Sequence, residues 1–308
     1  MKRHAGAGTS SEARPVERRP DDFNPDLRPD VLRPLPYRLR WRPEGIFPGA
    51  HPGRGEGSEG EFRRHVSLLR QPDPRRIDLR VSLRDPHGEL HVRQFAPRRS
   101  VPVAALVDLS GSMRFGEAVA GRVAELAALL ALSAVRSGDN FVLLGCDAGV
   151  NEAASLPLSR RRGLEEEVRQ CLGAAQPRGT GTAGLFEAAG RLPGRRSLVF
   201  LVSDFLMPTG EIERLLDALW RHDVIPVVVR DGAVEEGLPH WGLIELGDLE
   251  TGAARLVFMR PSLRARWLRA AREREAALAA LFARRGLRPV DLKDALDTDA
   301  LAQRLMEG

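Results

Sequence analysis

Hydrophobic positions from residue 101 onward follow two alternating patterns. Short, continuous apolar runs, typical of strands buried on both faces, alternate with longer stretches whose apolar residues recur every three to four positions. The runs predict strands over 102–107, 140–146, 197–203 and 224–229, with 243–246 and 254–258 toward an edge of the sheet. The longer stretches predict helices over 116–136, 161–173, 183–191, 210–222, 261–285 and 295–306. We therefore expect a doubly wound, mostly parallel α/β sheet with helices on both faces.

The first hundred residues have a different pattern. Residues 1–42 are rich in Pro and Arg and predict a flexible arm, whose later apolar residues are able to dock onto a folded body. Closely spaced glycines predict a loop over about 43–60. Apolar residues over 79–84 and 89–95, joined by a Pro-His-Gly turn, predict a pair of strands. We divide the chain into the arm (1–42), a Gly-rich loop with a small N-terminal β lobe (43–99), and an α/β domain with C-terminal helices (100–308).

Composition narrows the class of protein. Hydrophobic residues make up 43% and charged residues 29%, as in ordinary folded proteins. The chain has no apolar stretch of the ~20 residues that a membrane helix needs and no apolar signal core after Met1, so we expect a cytoplasmic protein without membrane contact. The net charge is +5, but the arginines are interleaved with 42 acidic residues and the chain has one tyrosine. Nucleic-acid binding is therefore not the expected function.

Oxygen-bearing side chains cluster at the ends of the predicted strands. Asp108, Ser110 and Ser112 follow the strand at 102–107, Thr180 precedes the helix at 183–191, and Asp204 directly follows the strand at 197–203. Ligands of doubly wound sheets collect outside the carboxyl ends of the strands, so these loops are expected to converge. Hard divalent cations bind oxygen ligands and usually keep several waters, so the pattern indicates a divalent-cation site.

The order of these residues resembles the metal-ion-dependent adhesion site of von Willebrand factor A domains. The shared features are Asp-x-Ser-x-Ser, a Thr about 70 residues later in a Gly-Thr-x-Thr context, and a strand ending in Asp. The resemblance implies a von Willebrand factor A-like fold that binds Mg²⁺, or Mn²⁺ or Ca²⁺. It also implies inner ligands at Ser110, Ser112 and Thr180, outer ligands at Asp108 and Asp204, and a coordination position left for an acidic residue of a partner.

A second resemblance covers most of the chain from about residue 44. The segments Gly53-Arg54-Gly55-Glu56-Gly57 and Asp73-Pro74-Arg75-Arg76-Ile77-Asp78 are similar to those of the bacterial family called domain of unknown function 58. That resemblance implies a partner, a MoxR-type AAA+ ATPase, and a role in maturation or remodelling of a client enzyme. We therefore expect a metal-dependent protein-binding adaptor rather than an enzyme.

Two other functions stay open as alternatives, a Mg-dependent phosphatase-like hydrolase and an Arg-rich nucleic-acid-binding protein. An aspartyl-phosphate phosphatase needs a second acid two residues after the first, and this chain has Ser110 there. A serine hydrolase is not supported either, because the serines lack a Gly-x-Ser-x-Gly context. The two cysteines, Cys146 and Cys171, have no metal-ligand spacing and are expected to be free thiols.

Overall fold

A computed structural model describes residues 33–43, 48–53, 60–113, 117–175, 182–231, 239–247, 254–293 and 296–307. Residues 1–32 of the predicted arm, most of the predicted Gly-rich loop and the candidate ligand Thr180 lie outside the described residues.

Twelve strands and seven helices are described in this part of the chain. In chain order the strands are β1 (Pro48–Pro52), β2 (Glu61–Ser67), β3 (His91–Ala96), β4 (Arg98–Arg99), β5 (Pro102–Asp108), β6 (Asn140–Cys146), β7 (Val150–Ser159), β8 (Leu198–Ser203), β9 (Asp223–Val229), β10 (Gly242–Gly247), β11 (Ala254–Met259) and β12 (Val290–Leu292). The helices are α1 (Leu79–Ser82), α2 (Glu117–Arg136), α3 (Leu164–Gly173), α4 (Ala183–Arg191), α5 (Thr209–Ala218), α6 (Pro261–Arg284) and α7 (Thr298–Glu307).

Six strands form the central sheet in the order β12-β9-β8-β5-β6-β7. Every neighbouring pair is parallel except β6 and β7, which are antiparallel. The expected α/β architecture with a mostly parallel sheet is therefore confirmed. β5 lies between β6 and β8, so the chain leaves β5 toward one side of the sheet and later returns on the other. Such a reversal of strand order opens a crevice at the carboxyl ends of the strands.

The hydrophobic core surrounds β5, whose seven residues are all buried. One face of the sheet, including Ala104 and Leu106, packs with residues of α4, α5 and α6 in a single buried cluster. α2 contacts β5 and β6, and it is apolar on most faces. It ends at Arg136, and two residues later Gly138 has φ of +72°, a conformation that glycine adopts without steric cost. Burial on both faces explains why these strands read as continuous apolar runs.

The strand predicted over 79–84 is wrong, because this segment is helix α1. Asp78 precedes the helix, and its side chain accepts a hydrogen bond from the backbone N–H of Val81 at 3.3 Å, as a helix N-cap does. The second predicted strand exists as β3, but it pairs antiparallel with β2. The four-residue helix is too short for its periodicity to be distinguished from strand alternation.

The sheet edges also differ from the predictions. The segments predicted toward an edge, β10 and β11, pair only with each other as a separate antiparallel ribbon. The edge positions belong to β7 and β12, which the sequence analysis did not identify. β7 consists mostly of exposed and half-buried residues, and β12 has only three residues, so neither presents a continuous apolar run.

Residues 33–43 lie against the sheet domain through specific contacts. The backbone N–H of Leu35 donates to Ser133 Oγ at 2.8 Å, and the Leu35 side chain is buried. The hydroxyl of Tyr37 donates to Asp139, which is fully buried and also accepts from the backbone N–H of Val101. Within the described residues, no helix combines the length and the apolar character needed to cross a bilayer.

Candidate metal centre

Asp108 ends the central strand β5 and is 3% exposed. Its Oδ1 accepts the backbone N–H of Ser110 at 2.9 Å, and its Oδ2 accepts the hydroxyl of Ser203 at 2.6 Å. Ser203 ends the neighbouring strand β8, so this second bond joins the two strand ends. Burial raises the pKa of Asp108, and the hydrogen bonds from the two serines oppose that shift. The carboxylate is thus held in a defined orientation at the carboxyl edge of the sheet.

The two motif serines face each other on a tight turn. A single 3₁₀ turn, Gly111–Met113, follows Ser110, and the N–H of Met113 donates to the carbonyl of Ser110 at 3.0 Å. This turn brings Ser110 Oγ and Ser112 Oγ within 3.1 Å of each other. Met113 is buried and anchors the turn to the core. Two hydroxyl oxygens are therefore presented side by side.

Asp204 directly follows β8 and is 8% exposed. Its Oδ1 accepts the backbone N–H of Leu206 at 2.9 Å. Its Oδ2 is buried and has no hydrogen-bond partner among the described residues. Burial raises the pKa of Asp204 to about 6, and the charge of Asp108 adds to this rise, whereas hydrogen bonds from Leu206 and Ser112 lower it. A buried carboxylate oxygen without a partner needs a compensating group.

The turn after Asp204 has an unusual backbone conformation. Phe205 has φ of +51°, the left-handed region that a non-glycine residue rarely occupies. Its N–H donates to Ser203 Oγ at 3.0 Å, and its buried ring meets the ring of Phe282 on α6 edge to face, with centroids 5.3 Å apart. Arg274, also on α6, donates from Nη2 to the carbonyl oxygens of Phe205 at 3.0 Å and Met207 at 3.2 Å. Packing against α6 thus fixes the backbone that carries Asp204.

Four of the five predicted site residues meet at the carboxyl edge of the sheet. Asp108, Ser110, Ser112 and Asp204 are joined by the contacts above. The fifth, Thr180, lies outside the described residues, and its role stays a prediction. Thr182 is the first described residue after that loop, and it precedes α4. Its hydroxyl donates to Glu211 of α5 at 2.6 Å.

Sequence reasoning missed two residues that shape the site. Ser203 orients Asp108. It could have been identified from the sequence, because it is the hydroxyl residue directly before Asp204. Arg274 left no usable signal, since it is one of several arginines on a charged helix. Only the packing of α6 against the turn after Asp204 distinguishes it from its neighbours.

The donors present fit a hard divalent cation chemically. Carboxylate and hydroxyl oxygens are ligands that such cations accept, and two buried acids whose charges disfavour each other are the setting that a cation relieves. Asp204 Oδ2, which has no partner among the described residues, points to the same need. Within the described residues, no group of three or more His, Cys, Asp or Glu side chains is arranged to hold a metal. A centre built from two acids and hydroxyls does not require such a group.

The fold and the site together define a mixed α/β protein with a polar centre where the chain reverses across its sheet. Residues 72–277 match the family model described as protein of unknown function DUF58. The chain belongs to this family.

The chain is similar to proteins of known sequence and of known structure. An uncharacterized protein of Mycobacterium tuberculosis is 31% identical over 259 residues, which cover 81% of this chain and 79% of that protein. A protein of Paracoccus denitrificans, described as uncharacterized and located in the moxR 3' region, is 41% identical over 101 residues, 33% of this chain and 96% of that protein. Among solved structures, the conserved hypothetical protein BatB of Bacteroides thetaiotaomicron is 14% identical, with a TM-score of 0.43 over 67% of this chain and 97% of that one.

Proposed function

We propose that the protein is a metal-dependent protein-binding adaptor. In this proposal the carboxyl edge of the sheet is a metal-ion-dependent adhesion site of the von Willebrand factor A type, which captures an acidic residue of a partner. Ser110, Ser112 and Thr180 are its inner ligands, and Asp108 and Asp204 act mostly through water. The cation is Mg²⁺, or Mn²⁺ or Ca²⁺. A cytoplasmic location is part of the same proposal.

The buried Oδ2 of Asp204, which has no partner among the described residues, carries this proposal. It lies on the same strand edge as Asp108 and belongs to the residue that Ser112 contacts. An uncompensated buried carboxylate is costly, and a bound divalent cation removes that cost.

The balance of neutral and charged ligands favours binding over turnover. A divalent cation held mainly by hydroxyls retains much of its charge and attracts an external carboxylate. Ser203 and the N–H of Ser110 hold Asp108 in place, and the N–H of Leu206 holds Asp204. The described residues around these ligands include no histidine and no further acid hydrogen-bonded to them, as a general base for water activation would be.

The partner in this proposal is a MoxR-type AAA+ ATPase, and the complex matures or remodels a client enzyme. The support is the Paracoccus denitrificans relative, whose description places it in the moxR 3' region. Proteins encoded side by side often work together, so the ATPase encoded nearest to this chain is the first partner to test.

Metal binding is tested first on the isolated protein. We expect Mg²⁺ to raise the unfolding temperature of the wild type, because a ligand that binds only the folded state stabilises it. Ser112→Ala should abolish most of this rise. Ser100→Ala is the matched control, because Ser100 is buried at the opposite end of β5 and its hydroxyl has no hydrogen-bond partner among the described residues. An equal rise in both variants contradicts the proposed centre.

Partner capture is tested by pull-down of the co-expressed ATPase in Mg²⁺ and in EDTA. The proposal requires recovery in Mg²⁺, loss in EDTA, and loss in Ser112→Ala. Equal recovery with and without EDTA rules out metal-mediated capture. The two alternatives give different results: a phosphatase turns over a generic aryl phosphate with Mg²⁺, and a nucleic-acid binder shows a steep salt dependence of binding.

A further inference from the structure

A cavity of about 220 Å³ opens beside the candidate metal centre. It lies between the turn after β8, the carboxyl end of β9 and helix α6. Asp204 forms part of its lining. The apolar part of the lining consists of Leu206, Val228, Val229, Ala271 and Leu278. The cavity and the centre therefore share one residue, and a molecule bound at the centre meets the mouth of the cavity.

The walls and the size suit a large apolar side chain. A cavity of about 150 Å³ is enough to hold benzene, and this one, which is open to solvent on one side, is larger. Val228 and Val229 are buried, whereas Leu206 is 50% exposed at the rim. An exposed leucine beside a ready-made apolar cavity is a feature of a binding surface rather than of a finished core.

The two arginines of the lining are engaged with other groups of the protein. Arg230 pairs with Glu275 at 2.8 Å and with Asp291 at 3.5 Å. Arg274 donates to the carbonyls of the turn after Asp204. Because both guanidinium groups already have partners, the cavity offers an entering group mainly apolar contact. We take it to select an uncharged side chain rather than a second acid.

We propose that this cavity seats an aromatic or leucine side chain that neighbours the acidic residue captured at the metal centre. The inference rests on the proposed function, because capture of the acid determines where the partner chain lies. The partner is then recognised at two points, the acid at the centre and the apolar side chain in the cavity. The Cα atoms of successive residues are only ~3.8 Å apart, so both points are within reach of one short segment.

The probes are two capped peptides, one centred on Phe-Glu-Phe and one on Ala-Glu-Ala. Each peptide is titrated into the protein in Mg²⁺, and the methyl NMR signals of Leu206, Val228 and Leu278 are followed. Burial of one ring should make the Phe-Glu-Phe peptide bind at least about tenfold more tightly. It should also shift the methyl signals of Val228 and Leu278, which the Ala-Glu-Ala peptide leaves in place.

Two variants of α6 sharpen the test. Ala271→Leu fills the cavity and should reduce the preference for the Phe peptide to less than about twofold, because the ring has no space left. Ala276→Leu is the matched control: Ala276 is exposed on the same helix, as Ala271 is, but it lies outside the cavity lining, so this variant should keep the preference. Equal binding of the two peptides to the wild type, or an unchanged preference in Ala271→Leu, overturns the inference.

The experiments distinguish a wrong inference about the cavity from a wrong proposal about the metal centre. If Mg²⁺ stabilises the protein and both peptides bind equally, the cavity inference fails and the proposed function stands. If Mg²⁺ binds nowhere near Ser112, both fail. Self-association of the wild type that Ala271→Leu abolishes would identify a second copy of this chain as the occupant, and would also overturn the inference.

Discussion

Arg274 on α6 donates from Nη2 to the carbonyl oxygen of Phe205, 69 positions earlier in the chain, at 3.0 Å. Phe205 occupies the left-handed region with φ of +51°, a conformation that costs a non-glycine residue roughly 1–2 kcal/mol. The arginine and the edge-to-face contact with Phe282 offset this cost. Helix α6 and the turn that carries Asp204 therefore act as one unit.

Replacing Arg274 with Ala should disturb the site more than the fold. Two hydrogen bonds to the turn are lost, so we expect a loss of about 0.5–1.5 kcal/mol in the free energy of unfolding, together with weaker Mg²⁺ binding. Urea unfolding and a Mg²⁺ titration measure the two effects. Arg272→Ala is the control, because Arg272 is exposed on the same helix, and its effect should stay within about 0.5 kcal/mol. Equal effects of the two substitutions would show that Arg274 does not hold the turn.

Removing the hydroxyl of Ser203 should destabilise the protein without metal. Ser203→Ala takes one donor from Asp108 and one acceptor from the N–H of Phe205, both buried, at a cost of about 1–3 kcal/mol. Ser100→Ala removes a buried hydroxyl that has no hydrogen-bond partner among the described residues and should cost much less. Chemical unfolding of both variants in EDTA gives the comparison, and a smaller loss for Ser203→Ala than for Ser100→Ala would contradict the role assigned to Ser203.

Neutralising Asp204 should stabilise the protein when no metal is present. The pKa of Asp204 is raised from 3.8 to about 6. The stability that its protonated carboxyl group contributes is therefore fully present below about pH 3.8 and is lost as pH rises through 6. In EDTA near pH 7.5, Asp204→Asn should therefore exceed the wild type by about 1–3 kcal/mol, and the difference should vanish near pH 4. In Mg²⁺ the order should reverse, since the variant lacks the carboxylate that favours the cation. A difference that does not change with pH would argue against the raised pKa.

The contact of Tyr37 with Asp139 should stabilise the docked segment 33–43. Tyr37→Phe deletes a hydrogen bond to a buried carboxylate, for which we expect a cost of about 1.5–3 kcal/mol. Burial, followed by the charge of Asp139, raises the pKa of Tyr37 above its ordinary value of 10. The stability contributed by this hydrogen bond is present below about pH 10 and is lost as pH rises above it. Because Tyr37 is the only tyrosine in the sequence, ultraviolet absorbance of the tyrosinate follows this group directly. Ionisation near pH 10 in the folded protein would disprove the buried contact.

The strands that could be predicted are those whose burial appears in the sequence as a run of consecutive apolar residues. β5, β6, β8 and β9 are buried, so their apolar runs were recognised close to their observed bounds. β7 and β12 were missed because an edge strand is half exposed or very short. The ribbon of β10 and β11 was recognised as two strands but placed wrongly, since pairing partners depend on distant segments and not on local pattern.

The candidate site also has features that the sequence predicts and features that it does not predict. The spacing of Asp108, Ser110, Ser112 and Asp204 on strand ends follows from the sequence, because parallel strands bring their carboxyl ends to one edge. Three features do not follow from the sequence: the lack of a partner for Asp204 Oδ2 among the described residues, the bond from Ser203, and the cavity beside α6.

By itself, the sequence determined the α/β class, the central strands and the residue types at their carboxyl ends, because burial and backbone periodicity leave a local pattern. Only the tertiary structure decided that Asp204 Oδ2 is buried without a donor among the described residues, which of many arginines holds the site, and where an apolar cavity opens. These properties depend on contacts between residues far apart in the chain, such as Arg274 and Phe205, and the local hydrophobic pattern does not encode those contacts.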